Sequence, residues 1–150
     1  MNKQELEEGL EFTPRFDENG LIPCITTSAS DGDVLMFAFM NREALEQTIM
    51  TGEVHYWSRS RQCLWHKGAT SGYTQRVIEM RTDCDQDCIW VKVDVNVPDG
   101  SDSTTDTACH TGRKTCFYRE IQPGPNKTIK DLMQFKDADK LFNPDDVYKK

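Results

Sequence analysis

The stretch Asp83-Cys84-Asp85-Gln86-Asp87-Cys88 organises this chain, because it places three carboxylates at alternate positions with thiols between and after them. In an extended strand, successive side chains point to opposite faces. If this stretch is extended, we expect the carboxylates on one side and the two thiols on the other. Carboxylates favour hard cations such as Mg²⁺ or Ca²⁺, whereas thiolates favour Zn²⁺. The stretch therefore offers ligands for two different metals.

The segment that follows, residues 89–97, alternates apolar with polar side chains and is the clearest strand of the sequence. The three aspartates would share its apolar face, so we expect a bulge, a bend or placement beyond the end of the sheet to separate them from the core. Other strands are predicted over residues 34–40, 53–62, 73–81 and 113–121, with a hairpin over residues 15–22. Helices are predicted over residues 3–10, 42–50 and 129–141. These elements predict an α+β fold, a strand-rich mixed or antiparallel sheet with a few short helices.

Two of these elements carry specific expectations. Residues 34–40 are nearly all apolar, which is typical of a strand buried on both faces. Asn41 can cap the following helix and Gly52 can end it. Within that helix, Leu45, Ile49 and Met50 are expected to face the core.

Length and composition favour one soluble domain over residues 1–150, with a core at about residues 16–121 and a C-terminal extension at residues 122–150. Hydrophobic residues make up 37% of the chain, and the formal charge is −7. This charge argues against nucleic-acid and membrane partners, although a small anionic ligand can still bind a local basic cluster. The N-terminus carries no apolar signal segment, so a cytoplasmic protein is expected. Residues 98–106 are expected to form an acidic loop.

The cysteines allow two kinds of zinc site. Cys84, Cys88, Cys109 and Cys116 could form a closed structural site, although the spacing between the last two is wide. Alternatively, three cysteines bind and leave the fourth position for water, which is the catalytic arrangement. His110 adjoins one of these thiols and could move protons or act as a ligand itself.

Two other metal sites fail their templates. An EF-hand needs glycine at the sixth loop position and glutamate at the twelfth, where this chain has Cys88 and Asp94. A zinc nucleobase deaminase needs H-x-E and P-C-x-x-C, and neither motif occurs. A structural zinc-binding interaction module remains the non-enzyme alternative.

Residues 55–72 hold the candidates for an anionic ligand. Arg59 and Arg61 alternate with hydroxyls along a predicted strand and could hold a phosphate. The segment 67–72 supplies a lysine, two glycines and hydroxyls, which could let backbone N–H groups approach a phosphate. A solvated strand face and an ordinary turn explain the same residues equally well.

Several segments together resemble the phosphoribosyl-AMP cyclohydrolase family of histidine biosynthesis. The matching segments are residues 40–45 (MNREAL), 52–61 (GEVHYWSRSR), 64–72 (LWHKGATSG), 83–87 (DCDQD), 108–113 (ACHTGR) and 116–119 (CFYR). Each segment alone is only suggestive, whereas the series in this order is highly specific. Cys88 and the tail after residue 121 lie outside the family pattern, and Cys63 and His66 are individual variations within it.

The resemblance implies an enzyme that hydrolyses the N1–C6 bond in the adenine ring of 1-(5-phosphoribosyl)-AMP. It implies an intertwined homodimer, with zinc sites shared between the subunits and a small phosphorylated nucleotide as substrate. Carried over by position, the zinc ligands would be Cys84 from one chain with Cys109 and Cys116 from the other. Asp83, Asp85 and Asp87 match magnesium ligands.

The same resemblance, with the residue types, gives candidate roles to the remaining site residues. His110 is the catalytic candidate for accepting or delivering a proton. The candidates for substrate binding lie in residues 57–72, with one further arginine after Cys109: Trp57, Ser58, Arg59, Ser60, Arg61, Lys67, Gly68, Ser71, Gly72 and Arg113.

Overall fold

A six-stranded mixed sheet and three short helices form this α+β protein, whose computed structural model describes residues 1–99, 107–137 and 139–148. The helices are α1 (Lys3–Glu8), α2 (Arg42–Thr51) and α3 (Pro144–Val147), with a 3₁₀ turn at Ile129–Asp131. The large sheet contains β1 (Ile22–Ser28), β2 (Val34–Met40), β3 (His55–Ser58), β4 (Cys63–His66), β5 (Gln75–Thr82) and β6 (Ile89–Val95). A separate pair joins β7 (Arg119–Ile121) to β8 (Met133–Phe135). The described chain has no helix long and apolar enough to cross a membrane.

The sheet order is β4-β3-β2-β1-β6-β5, and only the pair β1–β6 is parallel. Pro23 lies near the start of β1, a central strand of this sheet. The parallel pairing with β6 begins only at Cys24, so the missing N–H group of Pro23 removes no hydrogen bond between β1 and β6.

Local signals predicted α2 correctly. The Asn41 side chain accepts a hydrogen bond from the Ala44 N–H, and Gly52 ends the helix with a φ of 74°. The buried face differs from the prediction, because Ile49 and Met50 are 55% and 78% exposed. Thr48 is buried in their place, and its hydroxyl group bonds to the backbone of His55.

The strand β2 also has its predicted bounds but is not buried on both faces. Phe37 is 49% exposed and pairs with Ile25, which is 36% exposed. Trp90 of β6 pairs with Ile25 from the other side, so these three apolar side chains share one face. One face of the sheet is therefore apolar and open in the single chain.

Residues 83–88 form a turn between β5 and β6, so the extended arrangement was wrong. The Asp83 carboxylate accepts hydrogen bonds from the N–H groups of Asp87 and Cys88, and Gln86 has a φ of 59°. This turn supplies the expected bend, because it moves the aspartates off the valine face of β6. The turn also brings the three carboxylates close together. The predicted extended strand would likewise have placed them on one side.

Three other predictions were wrong in part. The strand expected at residues 53–62 is divided by a turn into β3 and β4, and residues 15–22 form a turn without a strand before it. Only Arg119–Ile121 of the strand expected at residues 113–121 is a strand, because the segment before it bonds to β2 through Cys116 N–H and the Leu35 carbonyl. The acidic loop lies mostly outside the described residues, at 100–106.

The helix predicted at residues 129–141 is absent from the described residues of that segment. Ile129 is 88% exposed, so the segment lacks the buried apolar face that stabilises a short helix. Gln134 pairs instead with Glu120 in the β7–β8 ladder. Non-local strand pairing has overridden the local helical pattern.

Candidate functional site

The acidic turn brings Asp83, Asp85 and Asp87 together, with one carboxylate oxygen of each within 4.8 Å of the others. A hydrogen bond with Asp85 raises the pKa of Asp87 to about 6, helped by a second bond to Asp83 and by their negative charges. The carboxyl group of Asp87 therefore keeps its proton to a higher pH than an isolated aspartate does, because ionisation adds to the repulsion within the cluster. A hard cation would serve the same purpose, so the donor set fits Mg²⁺ or Ca²⁺.

The thiol pair lies in the segment before β7. Cys116 donates a hydrogen bond to Cys109 and lowers the pKa of Cys109 to about 5, while the pKa of Cys116 itself is raised. The Thr111 hydroxyl group also donates to the Cys109 sulfur at 3.1 Å. Cys109 is buried and Cys116 is exposed, so the pair is open to a ligand from one side.

The predicted zinc ligands do not converge within one chain. Among the described residues, only the three aspartates form a group of three or more possible metal ligands within 4.8 Å of one another. Cys84 is exposed in the acidic turn and is not part of such a group with Cys109 and Cys116. Cys88 does not complete a four-cysteine site with them either. Within one chain, Cys109 and Cys116 therefore lie together, and Cys84 and Cys88 lie apart from them.

Lys67 lies beneath the thiol pair. Its side chain is buried, and its ammonium group donates a 2.6 Å hydrogen bond to the carbonyl oxygen of Ala108, the residue before Cys109. Burial lowers the pKa of Lys67, while Cys116 and Cys109 act in the opposite direction as nearby negative charges. Lys67 therefore points its charge at the cysteine segment instead of at open solvent.

A cleft of about 440 Å³ opens beside this segment. Its lining includes Arg61 and residues 65–71, among them His66 and Lys67. His110 also lines the cleft and follows Cys109 directly. The cleft thus brings together the catalytic candidate and part of the predicted phosphate segment.

The predicted site residues divide into two groups. Those that line the cleft are Arg61, Lys67, Gly68, Ser71 and His110. Those that the structure puts outside its lining are Trp57, Ser58, Arg59, Ser60, Gly72 and Arg113.

Three of the residues outside the lining have identifiable contacts. The Arg59 guanidinium group lies over the Phe39 ring at 4.2 Å. That of Arg113 lies over Tyr118 at 4.1 Å. Gly72 has a φ of 83°, and its carbonyl oxygen accepts a hydrogen bond from Asn96. In the single chain these contacts are structural.

Two further parts of the cleft were not predicted from the sequence. His66 stacks on His55 with ring centroids 4.5 Å apart, and its Nε2 lies 3.1 Å from the Glu53 carboxylate. Pro144, Asp145 and Tyr148 from the C-terminal tail also line the cleft. The tail carries no recognisable motif, so only its packing reveals this position.

Comparison with known proteins identifies the family of this chain. The sequence model of the family described as phosphoribosyl-AMP cyclohydrolase matches residues 36–118. A phosphoribosyl-AMP cyclohydrolase of Bradyrhizobium diazoefficiens is 54% identical over 151 residues, which cover 99% of this chain and 98% of the relative. The enzyme of that name from Nitrobacter hamburgensis is 52% identical over 145 residues, covering 97% and 91%. That of Rhodopseudomonas palustris (strain HaA2) is 51% identical over 146 residues, covering 97% and 92%. The chain belongs to the phosphoribosyl-AMP cyclohydrolase family, hydrolases that act on a cyclic amidine in histidine biosynthesis.

Proposed function

We propose that this chain catalyses the zinc-dependent hydrolysis of the N1–C6 bond in the adenine ring of 1-(5-phosphoribosyl)-AMP. The product is the phosphoribosylformimino-aminoimidazole carboxamide ribotide. The observation that carries this proposal is the hydrogen-bonded pair of Cys109 and Cys116, next to His110 at the side of a basic cleft. Membership of the family supports the reaction, and the thiol pair supports the dependence on zinc.

Zinc would be held by Cys109 and Cys116 of one chain and by Cys84 of the partner subunit. Three thiolates leave a fourth position for water, and zinc lowers the pKa of that water towards about 7. The low pKa of Cys109, about 5, supports its role as a thiolate ligand. The exposure of Cys84 supports its ability to reach a second chain.

A homodimer accounts for the open apolar face of the sheet. Ile25 and Phe37 are exposed there and lie directly opposite each other, with Trp90 beside them. Exposed apolar patches of this kind mark interaction surfaces. A second copy of the chain would cover this face and would also supply the missing thiol.

The chain's own residues then have separate tasks. His110 accepts or delivers the proton when water attacks C6 and N1 leaves. Arg61, with the hydroxyl and backbone N–H groups of residues 68–71, binds a substrate phosphate. Lys67 holds the cysteine segment by its bond to Ala108, and a role as a phosphate ligand is less consistent with its burial.

The acidic turn would bind Mg²⁺ through Asp83, Asp85 and Asp87. Their carboxylates lie close enough to share one cation, and the turn that carries them is already formed. A magnesium ion there would orient a phosphate group of the substrate by bonding to its oxygens.

The test is hydrolysis of phosphoribosyl-AMP by the purified, zinc-replete protein, followed by ultraviolet absorbance as the adenine ring opens. We expect ring opening that stops when a chelator removes zinc and returns when zinc is added. Ring opening that persists in zinc-free protein would contradict the zinc dependence. Folded, zinc-bound protein without any ring opening would contradict the enzyme function and favour a structural zinc module.

A further inference from the structure

The C-terminal tail is fastened to the cysteine segment. The Gly112 carbonyl oxygen accepts hydrogen bonds from the N–H groups of Leu141, at 2.5 Å, and Phe142, at 3.3 Å. Gly112 has a φ of 90°, and a Cβ atom at this position would collide with the Phe142 carbonyl oxygen. The glycine of the cysteine segment thus allows both its own turn and the close approach of the tail.

The tail is also fixed by its aromatic side chain. Phe142 stacks on Tyr73 with ring centroids 5.2 Å apart and packs against the main hydrophobic core. Tyr73 is buried, so this contact extends the core outwards to the tail. Asn143 then caps α3 by accepting a hydrogen bond from the Asp145 N–H. The position of α3 beside the cleft therefore follows from these contacts.

The lining of the cleft carries both signs of charge. Arg61 contributes a guanidinium group, and Asp145 of α3 contributes a carboxylate. No described side chain forms an ion pair or hydrogen bond with the Asp145 carboxylate, which is exposed. A free carboxylate in a cleft repels phosphate groups and accepts hydrogen bonds from hydroxyl groups.

We propose that Asp145 is a substrate-binding residue that accepts hydrogen bonds from a ribose hydroxyl group of the substrate. This inference rests on the proposed function, since the substrate carries two ribose 5-phosphate groups. The Arg61 guanidinium group attracts a phosphate, and the Asp145 carboxylate in the same cleft then receives hydroxyl groups that the same sugar presents. The tail thereby sets the orientation of the substrate, although it lies beyond the segment that matches the family.

Asp146 offers a matched control. It follows Asp145 in the same short helix, carries the same charge and is exposed, but it does not line the cleft. The experiment measures KM and kcat for ring opening with Asp145→Ala, Asp145→Asn and Asp146→Ala, each zinc-replete. We expect Asp145→Ala to raise KM about tenfold with little change in kcat, as loss of one charge-assisted hydrogen bond predicts. Asp145→Asn keeps one acceptor oxygen and should lie between Asp145→Ala and the wild type. Asp146→Ala should match the wild type.

Equal KM values for Asp145→Ala and Asp146→Ala would overturn the inference, even if both were raised, because a shared effect reflects charge alone. Thermal unfolding and zinc content are measured for each variant, and Asp145→Asn replaces Asp145→Ala if the latter fails to fold. Activity of the wild-type protein distinguishes failure of the proposed function from failure of the role of Asp145. Without wild-type ring opening, the proposed function fails and this inference falls with it. With wild-type activity and an unchanged Asp145→Ala, only the role of Asp145 is rejected.

Discussion

The ammonium group of Lys67 donates a 2.6 Å hydrogen bond to the carbonyl oxygen of Ala108, and so joins the turn after β4 to the segment that carries Cys109. Lys67→Met keeps most of the buried apolar stem but removes this donor. The carbonyl oxygen then loses a charged partner in a buried place. We expect the free energy of unfolding to fall by about 1–3 kcal/mol. Zinc affinity should fall with it, because the ligand segment is held less firmly.

Chemical denaturation and competition with a chromogenic chelator measure these two effects. Lys130→Met is the control, since Lys130 is exposed on the 3₁₀ turn and far from the thiols in sequence. Unchanged zinc affinity in Lys67→Met would show that the bond to Ala108 does not position the ligands.

Mixing two inactive variants tests whether the zinc site is shared between subunits. Cys84→Ser and Cys116→Ser should each bind little zinc and lack activity. A mixed dimer contains one intact site, made of Cys84 from one chain and Cys109 and Cys116 from the other. Random reassociation gives half mixed dimers, so about a quarter of the wild-type activity should return. No recovery, with mixed dimers demonstrated by mass, would rule out a site built from both chains.

His110 is expected to act in proton transfer and not as a zinc ligand. His110→Asn should lower kcat by about 10²–10⁴-fold, the usual contribution of a general acid or base. Bound zinc should stay at the wild-type level, as measured by elemental analysis. Loss of zinc together with activity would instead identify His110 as a ligand.

The acidic turn is predicted to bind a hard cation independently of the zinc site. Asp85→Asn removes one of three converging carboxylates, so affinity for a hard cation should drop while zinc content is unchanged. Binding of Mn²⁺, followed by electron paramagnetic resonance, reports the affinity directly. Asp137→Asn makes the same change at an exposed position outside the turn. Equal Mn²⁺ affinities in the two variants would remove the turn as a metal site.

Alanine substitutions at Gly32 and Gly112 distinguish the effect of backbone strain on stability from the effect of lost contact with the C-terminal tail. Gly112 and Gly32 both have positive φ, but a Cβ atom at Gly32 meets nothing within 4 Å. Gly32→Ala should therefore lower the free energy of unfolding by about 1–2 kcal/mol, because alanine is strained in the left-handed backbone conformation. Gly112→Ala should lower the free energy of unfolding by more than this, because its Cβ atom also displaces Phe142. Limited proteolysis should then cut the tail of Gly112→Ala faster. Equal unfolding free energies and equal cleavage rates would show that the tail does not depend on this contact.

The local chemistry of the sequence determined those elements whose stability comes from near neighbours. Asn41 and Gly52 bound α2 as predicted, because capping bonds and a left-handed C-cap involve residues a few positions apart. Alternation predicted the strand at β6, since a half-buried strand shows its period directly. The acidic cluster was evident for the same reason, because its three members are four positions apart at most.

The tertiary structure decided the rest. The sequence suggested Lys67 as a phosphate ligand, but packing buries it and turns it to Ala108, 41 residues away. Residues 129–141 have a helical pattern, yet Gln134 pairs with Glu120 in a ladder. Asp145 reaches the cleft only because Phe142 stacks on Tyr73 and Gly112 holds the tail. Each of these positions depends on contacts between segments distant in sequence, which no local pattern records.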